Sequence, residues 1–232
     1  MRRFDPMLVV LGLLTLVTGL VDAACYLGLG QVFTANQTGN AVLLAFGAAG
    51  AEGLPIVGPT VSLVVFLLGA AAGGWHATRR VGPVGTAVST AARRRWFGGV
   101  LLIELALVTA AGVAAIGLPV DTDGDRRYLV IALLAAALGL QNATVRRLAV
   151  PDITTTVLTM TLTGLAADLH LAGRSPRVRR RIAAVVLMAA GALIGALLLR
   201  VDVALPVFAS SVVIALATVK LWSGRSPEPT DP

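Results

Sequence analysis

Charged residues are scarce in this 232-residue chain: Asp, Glu, Lys and Arg together make up 13% of it, about half of their share in an ordinary soluble domain. Hydrophobic residues make up 56%, and the mean hydropathy is +0.85. A folded domain of this size could bury only part of so much apolar side chain. The remainder would form surface patches larger than a soluble monomer tolerates. The scarcity of charge therefore argues against a soluble protein, and we expect the lipid bilayer to be a partner of the chain.

Cysteine and histidine, on which metal sites and many active sites depend, are almost absent. The one cysteine, Cys25, excludes an internal disulfide and a multi-cysteine metal cluster. The two histidines, His76 and His170, lie at the ends of apolar runs and outside any HExxH motif. The sequence also lacks a recognisable pair of nucleophile and base, and a phosphate-binding loop. We therefore expect no enzyme activity, no metal and no cofactor.

Lysine is almost absent as well, although the chain is basic. Of 19 basic residues only Lys220 is a lysine, and with 12 acidic residues the net charge is +7. The arginines cluster between long apolar runs, as in Arg79-Arg80, Arg93-Arg94-Arg95 and Arg179-Arg180-Arg181. This pattern is typical of the cytoplasmic loops of membrane proteins, so nucleic acid is not an expected partner.

Eight apolar stretches account for most of the chain, at about 20 residues for each spanning helix. They are residues 7–30, 32–50, 56–75, 97–118, 128–148, 153–172, 181–200 and 204–222. The connections leave no room for a soluble domain, and the tail 223–232 is predicted to be disordered. The first stretch is longer than the apolar part of a signal peptide, so we expect it to be retained. The sequence thus predicts an all-α polytopic membrane helix bundle.

The distribution of basic residues predicts the topology. They concentrate at the N-terminus, in 76–96, in 173–181 and at the C-terminus, whereas the remaining connections hold more acids than bases. Because basic loops face the cytoplasm, eight full crossings would put 76–96 on the wrong side. The assignment becomes consistent if 7–50 and 128–172 each make one net crossing, through a helix plus a re-entrant or broken half-helix. This gives six net crossings, both termini in the cytoplasm, and a location in the bacterial inner (cell) membrane.

The two halves of the chain resemble one another at a shift of about 120 residues. Gly19-Leu20 falls on Gly139-Leu140, Asp22-Ala23 on Asn142-Ala143, and Thr34 on Thr154. We therefore expect a first membrane repeat at 1–118 and a second at 119–222. Since each repeat makes an odd number of net crossings, the two are predicted to be inverted, which is a recurrent transporter architecture.

A GxxxG pair occurs at corresponding positions of the two halves, as Gly69/Gly73 and Gly191/Gly195. Small residues at this spacing let helices approach closely, either within the chain or between the protomers of a homodimer. Helix packing is enough to explain both pairs, and a homodimer through either glycine face stays open.

Asp22 is a carboxylate inside the first apolar stretch. It lies 15 residues past Met7, about 22 Å along a helix, where an ionisable side chain calls for a cavity, a partner or a function. Thr18 lies one turn earlier on the same helical face. We favour a functional carboxylate; the alternative is a neutral Asp22 that ties helices together through hydrogen bonds.

A polar segment, 31–40, interrupts the second apolar stretch and carries Asn36, Thr38 and Asn40. Its counterpart, 151–156, begins with Pro and Asp, a helix-start signal, and ends in Thr154, Thr155 and Thr156. Helix N-termini at such a pair of breaks would make a midplane site for a small polar or anionic solute. The alternative is that these side chains only satisfy backbone groups and neighbouring helices.

Three further polar residues inside apolar stretches are candidates for the same site. Gln141 and Asn142 form the second-half equivalent of Asp22. Glu104, about 10 Å past Phe97 along its helix, is a second intramembrane acid that either pairs with an arginine or couples protons.

Two motifs in the first half carry a family resemblance. The stretch Thr18-Gly19-Leu20-Val21-Asp22-Ala23, followed by Phe33-Thr34-Ala35-Asn36-Gln37-Thr38-Gly39-Asn40, resembles the YoaK-type family of bacterial multi-pass membrane proteins, classed as a domain of unknown function. The segments 139–143, 152–156 and 162–164 fit the second half of that family, so the resemblance covers nearly the whole chain. It implies an inner-membrane location and adds no substrate or mechanism.

The polar residues lead to two hypotheses of different class. In the first, the chain is a transporter or channel for a small solute or ion, with a polar midplane site between inverted repeats. Asp22 and Glu104 would then couple protons or ions, and the other candidate residues would line the site. In the second, the chain is a non-transporting membrane interaction or assembly protein, whose structure should show Asp22 and Asn36 packed against partners with no solvated cavity.

Overall fold

The chain folds into helices throughout the part that the computed structural model describes, which comprises residues 5–83, 86, 88–118, 124–148, 158–167 and 176–223. Within these ranges there are eight α-helices and no strand: α1 Pro6–Gly28, α2 Gln37–Ala48, α3 Val57–Val81, α4 Thr90–Ala115, α5 Asp125–Leu148, α6 Leu158–Ala167, α7 Pro176–Leu199 and α8 Ala204–Ser223. The predicted all-α class is confirmed. Ser223, which we assigned to the disordered tail, is instead the last residue of α8.

Two helices are much shorter than the others. Six helices, α1, α3, α4, α5, α7 and α8, are long and apolar enough to cross a membrane. By contrast, α2 has 12 residues and rises about 18 Å, well short of the hydrocarbon thickness, and the described part of α6 has 10 residues. These two are the stretches that the charge distribution singles out as unable to be simple spans. The eight predicted apolar stretches therefore correspond to eight helices of the described chain, of which six are long and apolar enough to cross a membrane.

The directions of the long helices follow from the residues that meet along them. Helices α1 and α7 run parallel, since Gly12 faces Leu187 while Gly28 faces Leu199. Helix α4 runs antiparallel to both α5 and α8, because arginines near its start, Arg93 and Arg94, donate hydrogen bonds to carbonyls near the ends of α5 and α8.

Helices α3 and α5 also run parallel, because Gly69 meets Ala136 and Gly73 meets Ala143. The four-residue connection between α7 and α8 turns the chain back on itself. Consequently α1, α4 and α7 point one way, and α3, α5 and α8 point the other way. Helices α1 and α3 are thus opposed although α2 lies between them, so the chain from 7 to 50 passes from one end of the bundle to the other only once.

Glycines set the closest helix contacts. A Cβ atom at Gly19 would lie 2.2 Å from the Met188 carbonyl oxygen, and one at Gly191 would lie 2.2 Å from the Leu16 carbonyl oxygen. The α3 and α5 pair shows the same arrangement, because a Cβ atom at Gly139 would lie 2.2 Å from the Phe66 carbonyl oxygen. Both GxxxG pairs therefore face helices of the same chain, and a homodimer would have to use a different surface.

Helices α1 and α5 lie at the centre of the bundle, and the flanking helices α3 and α7 expose apolar side chains. Leu67, Leu68 and Leu193 are more than half exposed. In a bilayer such side chains contact lipid, where an exposed apolar face needs no cover. The polar candidates on α1 and α5 are thereby placed in the interior of the molecule.

Arginine side chains connect neighbouring helices at the end of the bundle where α3, α5 and α8 end. Arg93 donates to the Leu148 carbonyl, and Arg147 donates to the carbonyl of Gly82, the residue that follows α3. The last carbonyls of a helix have no partner within it, and cations interact favourably with that end. Twelve basic residues of the described chain lie at this end and three at the other.

Candidate functional site

The chain turns back into the bundle directly after α1. Backbone hydrogen bonds from Leu29 to the Cys25 carbonyl and from Gln31 to the Tyr26 carbonyl close the end of the helix. Gly30 and Gln31 have φ values of 88° and 55°, in the left-handed region that glycine tolerates best. This turn redirects residues 32–36 toward the helix they have just left.

Asp22 holds the returning backbone in place. Its Oδ1 atom accepts hydrogen bonds from the Thr34 N–H at 3.0 Å and from the Ala35 N–H at 2.9 Å. The break thus returns to a level six residues before the end of α1, about 9 Å inside it. In hydrocarbon each of these N–H groups would be costly without an acceptor. The other carboxylate oxygen, Oδ2, is buried and has no hydrogen-bond partner among the described residues.

Asn40 satisfies the backbone of Phe33 from the first turn of α2. Its Oδ1 accepts from the Phe33 N–H at 3.0 Å, and its Nδ2 donates to the Phe33 carbonyl at 2.6 Å. The same carbonyl accepts from the Ser62 hydroxyl on α3 at 2.6 Å, and Gln37 donates to the Thr34 carbonyl at 3.0 Å. The geometry of Asn40 therefore matches the alternative hypothesis, in which polar side chains satisfy backbone groups.

A cavity of about 500 Å³ lies between this break, α2 and the beginning of α6. It is lined by Tyr26, Phe33, Asn36, Thr38, Gly39, Val42, Leu43 and Thr159. Tyr26 and Phe33 stack with their ring centroids 4.7 Å apart and form an aromatic wall. The cavity therefore brings together residues of both halves of the chain, at the two short helices.

The polar side of the cavity is the start of α2. Asn36 occupies the N-cap position, but its side chain makes no capping hydrogen bond, so its amide is available to a ligand. The first N–H groups of a helix carry partial positive charge and favour acceptors. Thr38 adds a hydroxyl, and the described lining contains no charged side chain. This combination suits a small solute with hydrogen-bond acceptors and an apolar or planar part.

The remaining candidates on long helices lie outside this cavity. The Thr18 hydroxyl donates to the Leu14 carbonyl of its own helix at 3.0 Å, and the Asn142 amide donates to the Leu138 carbonyl at 2.8 Å. Glu104 and Gln141 are fully buried on α4 and α5, and their side-chain oxygen and nitrogen atoms have no partner among the described residues. The polar candidates thus fall into three sets. Asn36 and Thr38 line the cavity, Asp22 and Asn40 bind the backbone of the break, and Glu104 and Gln141 are buried on other helices.

The second-half break falls outside the described residues, and with it Thr154, Thr155 and Thr156. Thr159, one turn beyond that run, is the residue of this half that lines the cavity. The sequence reasoning missed Thr159, although it lies in the same threonine-rich segment. It also missed Ser62, because a lone serine on α3 gives no sign that it meets a segment 29 residues earlier.

Comparison with known proteins gives a family for this arrangement. The family model described as "Protein of unknown function (DUF1275)" matches residues 10–220. The UPF0700 transmembrane protein YoaK of Bacillus subtilis (strain 168) is 30% identical over 159 residues, which cover 68% of this chain and 65% of that relative. The match thus spans slightly less than two thirds of the relative's length. No solved structure matches the chain. Because the family model covers nearly all of the spanning helices, the chain belongs to the DUF1275 family of proteins and is an integral membrane protein of the YoaK type.

Proposed function

We propose that this chain is a transporter or channel for a small solute or ion, with its binding site in the cavity between α2 and α6. One observation carries the proposal: the break after α1, the short helix α2 and Thr159 of α6 adjoin a cavity of about 500 Å³ lined by amide, hydroxyl and aromatic groups. Non-helical backbone at membrane depth is tolerated where it is buried in protein or lines a cavity. Interrupted helices at the interface of two repeats are where transporters hold their cargo.

The proposal includes that the two halves of the chain are inverted repeats. Each long helix of the first half runs opposite to its counterpart in the second half: α1 to α5, α3 to α7, and α4 to α8. The close glycine contacts are also equivalent in the two halves. Gly19 of α1 meets Gly191 of α7, and Gly139 of α5 meets the backbone beside Gly69 of α3. A two-fold axis in the membrane plane would relate such halves, and it would pass near the two short helices.

The orientation is proposed from the distribution of charge. The basic end of the bundle, where α1, α4 and α7 begin, carries twelve basic residues of the described chain, whereas the opposite end carries Arg126, Arg127 and Arg200. Under the positive-inside rule the basic end faces the cytoplasm. Both termini then lie inside, and the cavity near the end of α1 lies toward the outer half of the bacterial inner membrane.

Coupling to a proton or ion is assigned to the two buried carboxylates. Asp22 uses Oδ1 to bind the break, which contributes Phe33 and Asn36 to the cavity, and leaves Oδ2 without a partner among the described residues. Both carboxylate oxygens of Glu104 are also buried without a hydrogen-bond partner among the described residues. Ionisable groups in the membrane interior are costly unless they serve a pathway or a partner, so a proton or cation is the simplest occupant of both.

The second candidate function, a non-transporting interaction or assembly protein, is favoured by a different observation. Asp22 and Asn40 make hydrogen bonds that stabilise the break. If that were their whole role, the cavity would be filled by lipid or by a partner protein rather than by an aqueous solute. The two functions therefore differ in whether water reaches Asn36, Thr38 and Thr159.

Cysteine labelling tests this difference in the full chain. In a Cys25→Ser background, which keeps an acceptor for the Thr34 hydroxyl, the variants Thr38→Cys and Thr159→Cys place a thiol on either side of the cavity. We expect both to react with a hydrophilic, membrane-impermeant thiol reagent in reconstituted vesicles. Val64→Cys is the matched control, because Val64 is 50% exposed on α3 and does not line the cavity; we expect lipid to cover it and the thiol to stay unlabelled.

The same variants connect labelling to transport. A solute that slows labelling at Thr38→Cys and accumulates in vesicles containing the wild-type chain would be the cargo. Failure of both cavity variants to react from either side of the membrane, with the protein intact by size-exclusion chromatography, would exclude a solvated site and favour the assembly function.

A further inference from the structure

A second cavity, of about 270 Å³, lies at the basic end of the bundle between the start of α4 and the end of α8. It is lined by Ala91, Arg94, Arg95, Leu221 and Trp222. The turn after α1, which borders the first cavity, lies at the opposite end of the bundle. Two arginines beside two large apolar side chains make a surface that is both cationic and apolar.

Helix packing builds the walls of this cavity. A Cβ atom at Gly98 would lie 2.4 Å from the Trp222 Nε1 atom, so the indole ring lies directly on the glycine of α4. Arg94 donates to the Leu221 carbonyl and thereby joins α4 to the last turn of α8. The position of the ring relative to the arginines is thus fixed by contacts between the two helices.

The side chains that a ligand would meet remain accessible. Trp222 is 64% exposed, and Arg95, which lines the same cavity, is exposed as well. Asp5 is the one acidic residue of the described chain at this end, since Glu52, Asp125 and Asp202 lie at the other. The local charge is therefore strongly positive and favours an anion.

The depth of the cavity selects the kind of anion. Arg94 and Arg95 lie in the second turn of α4, and Trp222 is the second-last residue of α8. Positions this near the ends of spanning helices are expected at the headgroup level, where tryptophan is enriched and basic residues flank the cytoplasmic side. A guanidinium can bind a phosphate with two parallel hydrogen bonds, and an indole ring can cover the glycerol and the first acyl carbons. Basic pockets between helices at this level bind phospholipid headgroups.

We propose that this cavity binds the phosphate headgroup of an anionic phospholipid from the leaflet at the basic end of the bundle. Arg95 supplies the free charge, Arg94 is held by α8 and shapes the pocket, and Trp222 covers the glycerol region. The site joins α4 to α8, the pair of equivalent helices that meet between the two halves. A bound lipid would therefore stabilise this contact.

Tryptophan quenching measures the binding. The chain has three tryptophans; Trp96 is 6% exposed and Trp75 is 59% exposed, so a Trp75→Phe background leaves Trp222 as the accessible fluorophore. In nanodiscs of phosphatidylcholine we expect brominated phosphatidylglycerol to quench Trp222 at about a tenfold lower mole fraction than brominated phosphatidylcholine does. Equal quenching by the two lipids would overturn the proposal without any pocket variant being needed.

Charge variants then locate the site. Arg95→Gln should raise the mole fraction for half-maximal quenching by phosphatidylglycerol about tenfold, and Arg95→Lys should recover part of the loss. Arg80→Gln is the matched control, because it removes an exposed arginine at the same end, on α3. Equal effects of Arg95→Gln and Arg80→Gln would mean general attraction to the surface and would contradict a site.

Inorganic phosphate distinguishes the two sources of the anion. In excess it should leave the quenching by brominated phosphatidylglycerol almost unchanged, because it offers nothing for Trp222 and Leu221 to cover. Displacement of the lipid by inorganic phosphate would make the cavity an anion site and would overturn the assignment to phospholipid.

Discussion

At the scale of single residues, the Asp22 carboxylate has a structural role and, in the proposed function, a coupling role. Its Oδ1 atom supports the returning backbone through two N–H groups, and its Oδ2 atom is left without a partner among the described residues. The first role depends on an acceptor oxygen and the second on an ionisable group. Substitutions that keep the oxygen but remove the charge can therefore separate the two.

Asp22→Ala should lower the free energy of unfolding by about 1–3 kcal/mol for each backbone N–H group that it leaves buried and unpaired. Asp22→Asn should cost much less, because its amide oxygen can still accept from Thr34 and Ala35. Denaturation of the reconstituted protein in detergent mixtures measures the difference. Equal destabilisation by the two variants would show that the charge, and not the acceptor, holds the break.

The sequence predicts the residues of the break better than their roles. A polar run inside an apolar stretch indicates an interruption, and α2 begins within that run, with Asn36 at its N-cap. It does not distinguish Asn36, which lines the cavity, from Asn40, which binds the Phe33 backbone. That distinction depends on Ser62, a residue of another helix, and on the left-handed turn at Gly30 and Gln31.

At the scale of helices, small residues decide which pairs pack. Gly19, Gly139 and Gly191 let backbones meet at distances that no Cβ atom allows. Periodicity identifies these helices and their lengths, because long apolar runs are a strong signal. It does not give their neighbours, since the first helix of each half packs closely on the third helix of the other half.

Gly191→Ala should separate α1 from α7 and destabilise the fold by about 1–3 kcal/mol, the usual cost of inserting a methyl group into a packed contact. Gly74→Ala is the matched control on α3, since a Cβ atom there would have nothing within 4 Å. It should be neutral or slightly stabilising, because alanine favours helix more than glycine does. Thermal unfolding of both variants in the same detergent makes the comparison, and similar losses of stability would contradict the glycine contact.

At the scale of the whole molecule, the distribution of charge predicts how many of the apolar stretches cross the membrane. Eight apolar stretches with a consistent positive side require two that do not cross, and at those places the structure describes helices of 12 and 10 residues. The sequence therefore predicts the number of spanning helices from electrostatics, which hydropathy alone would have overestimated.

The proposed orientation is tested in intact cells. In the Cys25→Ser background, Glu52→Cys lies between α2 and α3 and Thr90→Cys begins α4, and both positions are exposed at opposite ends of the bundle. An impermeant thiol reagent should label Glu52→Cys from outside and Thr90→Cys only after the cells are permeabilised. The reverse pattern would place the basic end outside and refute the proposed orientation.

The most direct measurement of the solvated cavity is an experimental density map of the full chain in a lipid nanodisc. We expect α2 and α6 to stay apart, with ordered water or solute density in contact with the Asn36 amide and the Thr38 and Thr159 hydroxyls. A map in which side chains or acyl chains fill that space, and Asn36 packs against protein, would contradict the transporter or channel proposal.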